Sequence, residues 1–167
     1  MPRSIKIKTV LPYPPALVWQ ALTNAAILGM WFMENNITLL PDAEFQFKMA
    51  PQKGWDGITH CRIIHIEPLK QISYTYRGEA TGEKALACAG IHSESVDKTG
   101  KGFFTKLNTV LTFDLSPTCG GTILTMRQSG YTGLLQVIVS YIMQMGWKKQ
   151  LKKKLPVTLQ KMTDHNP

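Results

Sequence analysis

Cysteine is sparse here: Cys61, Cys88 and Cys119 are odd in number, far apart and contain no C-x-x-C pair. That spacing argues against a disulfide framework and a cysteine-held zinc ion. Free thiols in a reducing cytoplasm are the expectation. Acidic residues are missing from one long stretch of the last third of the chain. None occurs between Asp114 and Asp164, where Arg127, Lys148, Lys149, Lys152, Lys153, Lys154 and Lys161 place most of the net charge of +8. The opening Met1-Pro2-Arg3-Ser4 leads into no apolar run of signal-peptide kind. Leu134 to Met145 is apolar and uncharged, but as a helix it rises only about 18 Å, too short to span a bilayer.

Catalytic patterns are lacking as well. Ser129-Gly130 has no Gly-x-Ser-x-Gly context, the acidic residues are scattered, and no carboxylate pair stands out. His60 and His65 have opposite parity on one predicted strand, so they are expected on opposite faces, unable to share a metal ion. Cys61 beside His60 faces away from it by the same rule. His92 and His165 fall in an irregular insertion and in the tail. Neither a metal, a cofactor nor an enzymatic activity is expected from these residues.

A chain of 167 residues is one domain in size and can bury a core without staples. Ile5 to Leu11 alternates apolar and polar and predicts a half-exposed strand ended by Pro12. Pro14 and Pro15 suit the first turn of a helix. The i,i+4 pairs Val18/Leu22, Ile27/Trp31 and Leu28/Phe32 predict two short helices, with Thr23-Asn24 capping the second. Strands are predicted at Glu44–Met49, Gly54–Glu67, Gln71–Tyr76, Leu107–Leu115 and Thr122–Ser129, the last two joined at Cys119-Gly120-Gly121 as a hairpin in an antiparallel sheet. Residues 77–106 fit no element and read as an insertion, disordered or folded over a site, with one weak helical turn at Ala85–Ala89. Trp147, Leu151 and Leu155 form an apolar stripe on a terminal helix, which Pro156 is expected to kink or end near Leu155.

The segment Pro14-Pro15-Ala16-Leu17-Val18-Trp19-Gln20-Ala21-Leu22-Thr23 with Leu28 and Trp31 resembles the opening of homologues of the activator of the heat-shock-90 chaperone's ATPase. Trp55-Asp56-Gly57, Glu67-Pro68, Gly120-Gly121-Thr122, Ser129-Gly130-Tyr131 and Gly146-Trp147-x-x-x-Leu151 follow in that family's order. The resemblance implies a helix-grip fold of the steroid-transfer and birch-pollen-allergen-like superfamily. That α+β architecture wraps a curved antiparallel sheet around a long C-terminal helix, with two short helices near the N-terminus. The chain, residues 1–167, is then a single helix-grip domain. Gln128 stands where that family often has histidine; an amide there loses proton chemistry but can still hydrogen-bond.

The implied function is non-enzymatic binding of a small hydrophobic or lipid-like molecule between sheet and helix. Wall candidates are Trp31, Phe45, Phe47, Tyr74, Tyr76, Leu111, Phe113, Leu124, Met126, Trp147 and Leu151, each of which could equally be plain core. Two alternatives come with the resemblance: stimulation of the heat-shock-90 chaperone, and cyclase-like catalysis on the same scaffold. The lysine cluster reads as attraction to an anionic partner or as a solvated helix end near the negative pole of its dipole. Specific nucleic-acid binding is not expected, because few aromatics interleave with the lysines. Leu134–Met145 is left as a segment buried under the insertion, a homodimer face, or a peripheral membrane contact, so monomer and homodimer both stay open.

Overall fold

The computed structural model describes residues 3–51, 56–78 and 107–165. Its centre is one antiparallel sheet of seven strands: β1 (Arg3–Leu11), β2 (Glu34–Asn35), β3 (Glu44–Lys48), β4 (Ile58–Glu67), β5 (Gln71–Arg77), β6 (Asn108–Thr118) and β7 (Gly121–Tyr131), in the spatial order β1-β7-β6-β5-β4-β3-β2. The alternation visible in the sequence separates the faces. Thr109, Leu111, Phe113 and Leu115 of β6 and Leu124, Met126 and Gln128 of β7 are buried on the concave side. The convex side is polar: Arg127 forms an ion pair with Asp114 at 2.7 Å, and Ser73 shares a hydrogen bond with Thr112. β2 is a short edge strand that pairs Glu34 with Lys48 and Asn35 with Phe47 of β3.

Two glycines are dictated by close approach. A Cβ on Gly121 would sit 2.0 Å from the Leu11 carbonyl oxygen, and one on Gly130, whose φ is +110°, 2.8 Å from that of Asn108. No side chain fits at either position.

α1 (Pro15–Thr23) and α2 (Ala25–Trp31) close one end of the sheet. Asn24, rather than Thr23, caps the second helix, its Oδ1 accepting from the amides of Ala26 and Ile27; the Thr23 hydroxyl donates back to the Trp19 carbonyl. The Trp31 indole donates to the Ala21 carbonyl at 2.8 Å and so fixes the two helices together.

The chain then runs through α3 (Leu134–Lys149), a wide turn (Gln150–Lys154) and α4 (Leu155–Asp164). Pro156 does not end this helix: the interruption expected near Leu155 takes the form of the wide turn just before the proline, and the helix runs on beyond it. In the wide turn the Leu155 amide donates to the Gln150 carbonyl, five residues back, and Pro156 takes a first-turn place in α4, where a missing N–H is tolerated. The turn also serves the stripe. Side chains four residues apart drift about 40° per step round a helix of 3.6 residues per turn. A widened turn takes up that drift, and Trp147, Leu151, Leu155 and Leu159 all stay buried.

A second correction concerns β4. An irregularity between Ile63 and His65 inserts a residue, so that His60 pairs with Arg77 and His65 with Ser73. Both histidines therefore lie on the convex face rather than on opposite faces. Five residues of strand still hold them roughly 16 Å apart, too far to share an ion. Arg77, read from sequence as the start of the insertion, is the last residue of β5. The rest of that insertion, from residue 79 to 106, with the turn at Ala85–Ala89, lies outside the described residues, as does Trp55.

Candidate functional site

Helix and sheet meet at Trp147. Its ring stacks on Phe32 with centroids 4.7 Å apart and an interplanar angle of 22°, and meets Phe113 edge-on at 6.0 Å. The indole N–H donates to Gln128 Oε1 at 2.8 Å, Gln128 Nε2 donates to the Thr109 hydroxyl at 2.9 Å, and that hydroxyl donates to the Tyr76 carbonyl at 2.9 Å. Trp147, Gln128 and Thr109 are buried. A neutral chain of donors and acceptors thus ties the helix to two central strands and the backbone of a third. The amide of Gln128 supplies what this position demands, an acceptor for the indole and a donor for the threonine.

The wall candidates named from sequence are all buried, and most of them pack against one another. Phe45 meets Tyr74 at 5.0 Å and Phe47 at 5.5 Å, both edge-on, and Tyr74 meets Phe113 at 6.4 Å. Leu111, Leu124, Met126 and Leu151 are wholly buried, and Trp31 sits behind Phe32. These residues fill the space beneath the helix.

An open volume remains at one end. A cavity of about 390 Å³ is lined by Phe32, Met33, Met49, Thr59, Tyr76, Gly78, Leu107, Ile142, Met143, Gly146, Trp147 and Gln150. Of the predicted walls, Tyr76 and Trp147 alone line it. The others named for it from sequence are core beside it, and the methionines, Thr59, Ile142 and Gln150 were not foreseen. The cavity reaches the surface near Met49 and Ile142, which are 42% and 57% exposed.

The chemistry of this lining is simple. None of these residues carries a carboxylate, imidazole, thiol or amine. Burial pushes the Tyr76 hydroxyl well above the usual tyrosine range, with Cys61 nearby adding to the rise and a hydrogen bond to Thr59 opposing it, so it stays protonated. The neighbouring Tyr74 hydroxyl and Cys61 thiol are pushed up by the same burial, which leaves Cys61 a poor nucleophile. His60, on the convex face, is held below its ordinary value by burial, against the pull of Asp56 and Glu44. One polar atom of the lining is left over: Gln150 Oε1 is buried and meets no donor among the described residues. The described residues contain no group of three or more potential metal ligands.

A curved sheet, a gripping terminal helix and a void beside Trp147 invite comparison with known folds. The family model for activator of Hsp90 ATPase homolog 1-like proteins matches residues 12–160. The chain belongs to this family. In this activator-homologue family the architecture described above is the α+β helix-grip fold. A solved structure of a protein from Mesorhizobium loti is 25% identical to the chain, each covering 99% of the other, with a TM-score of 0.71. CalU16 from Micromonospora echinospora is 19% identical with a TM-score of 0.64; the match covers 98% of this activator-homologue chain and 80% of CalU16. DynU16, from the dynemicin biosynthetic locus, is 18% identical over 94% of this chain at a TM-score of 0.64, and the chain spans about half, 47%, of its length. The likeness to CalU16 and DynU16 is one of fold. No curated protein matches the sequence.

Proposed function

We propose that this single helix-grip domain binds a small, uncharged, largely apolar molecule in the cavity beside Trp147, without transforming it. The observation that carries the reading is a volume of about 390 Å³ whose described lining holds no ionisable acid or base except the neutral phenol of Tyr76. A charged group placed there would lose its hydration without a partner, whereas an apolar guest gains about 25 cal/mol per Å² removed from water. The volume falls in the range of ordinary small-molecule sites. The unpartnered Gln150 Oε1 adds a preference for a guest with one hydroxyl or N–H to donate.

Cyclase-like chemistry needs a positioned acid or base, and the described lining offers only the phenol of Tyr76, which burial holds protonated. Stimulation of a chaperone rests on the family description alone. The test is titration of the purified protein with a neutral long-chain alcohol, a phenol and a sterol, followed by tryptophan fluorescence and thermal shift. Saturable binding by wild type, lost in Met143→Trp, is the expected outcome. Binding by none of these probes, or equal binding by the filled variant, overturns the reading.

A further inference from the structure

The proposed cavity leaves unused the outward face of α3. Leu134, Leu135, Ile138, Tyr141, Ile142 and Met145 are between 49% and 79% exposed. They recur at steps of three and four residues and so form one continuous stripe. The opposite side of the helix is held down: Val139, Ser140 and Trp147 are buried, and Arg3 of β1 donates to Ser140 and to Gln144, with its guanidinium 3.6 Å over the ring of Tyr141 at the edge of the stripe. The apolar segment Leu134–Met145 is therefore one-sided, buried on its inner side and exposed on its outer side.

Continued down the helix, the same outward side becomes cationic. Lys148, Lys149 and Lys152 follow Met145 there, all exposed, with Lys153 beside them. No acidic residue lies between Asp114 and Asp164 to neutralise them. Greasy side chains ending in a lysine cluster suit a surface that is apolar at one depth and anionic at the next. A second copy of the chain brings the same lysines and the same net charge of +8, so its charges oppose the contact. No helix among the described residues is long and apolar enough to cross a membrane, which leaves the stripe to lie along a surface. Ile142 belongs to both the stripe and the cavity wall, so a guest could enter from that side.

We propose that this face of α3 docks on an anionic lipid bilayer, with the stripe in the interface and Lys148, Lys149 and Lys152 against the headgroups. Only the entry of a guest from the bilayer rests on the cavity reading; docking stands apart from it. The full chain is sedimented with phosphatidylglycerol-containing vesicles and with pure phosphatidylcholine vesicles, at low and high salt. Expected is capture by the anionic vesicles, weakened by salt and by the double variant Lys148→Glu/Lys149→Glu, and lowered about tenfold or more by Ile138→Glu/Met145→Glu. These positions are exposed, and circular dichroism confirms that each variant is folded. Absence of capture at low salt overturns the proposal, as does capture that survives Ile138→Glu/Met145→Glu. A dimer in light scattering that Ile138→Glu/Met145→Glu dissolves also overturns it, because a second copy then covers the stripe. Met143→Trp separates the two readings: it fills the cavity and still docks.

Discussion

The two ends of the space beneath the terminal helix are furnished differently. At one end Phe45, Phe47, Tyr74 and Phe113 interlock with centroids between 5.0 and 6.4 Å apart. At the other, Met33, Met49 and Met143 border the void. Flat, stiff rings on neighbouring strands leave no gap once their edges meet faces. Methionine, unbranched and soft, can line a space of changing shape. The same fold therefore carries a fixed half and an adaptable half, with Trp147 at the border between them.

That contrast is broken or sharpened by mutation. Phe113→Ala removes a ring from the fixed half and is expected to cost about 3–5 kcal/mol in chemical denaturation, against less than about 2 kcal/mol for Met143→Ala, which already borders empty space. Equal losses would erase the distinction.

Alkali is the next largest perturbation. Tyr74 and Tyr76 have folded-state pKa values raised by burial, so above the ordinary tyrosine value the unfolded chain releases protons that the folded chain keeps. Their stabilisation is present in full below about pH 10 and falls as pH rises, by about 1.4 kcal/mol per pH unit for each hydroxyl. Denaturation midpoints measured as pH is raised through that range check the slope; a flat profile would place these hydroxyls in water.

Gln128→Leu tests the polar tie between the halves. It strands the Trp147 indole and one partner of Thr109, and is expected to cost about 1–3 kcal/mol; Gln128→His, which keeps one donor and one acceptor, recovers part of it. Gly146→Ala is the mildest change. Nothing lies within 4 Å of a Cβ there, so helix propensity dominates and stability rises by about 0.5–1 kcal/mol. Weaker binding of the alcohol probe by Gly146→Ala would show that the added methyl narrows the cavity.

Periodicity made the fixed half legible. Alternation in β6 and β7 placed Leu111, Phe113, Leu124 and Met126 inside, and the four-residue spacing from Trp147 placed the helix against them. The adaptable half was illegible for a physical reason. Met33, Met49, Gly78 and Leu107 sit at or just beyond the ends of elements, where no repeat constrains which way a side chain points. The inserted residue of β4 reversed the parity on which His65 was assigned, and a single-residue insertion leaves no mark in composition. The bare face of α3 was hidden because an apolar run alone does not say which of its sides a neighbour covers.

The wide turn between Gln150 and Lys154 has a consequence for how this chain tolerates change in length. Removing one residue from it would restore a regular helix and keep Leu155 and Leu159 on the sheet side, because the wide turn already holds about one residue more than a regular turn. Adding a residue there would instead swing both leucines away by about 100°. The chain can shorten by one residue at this point, but it cannot lengthen.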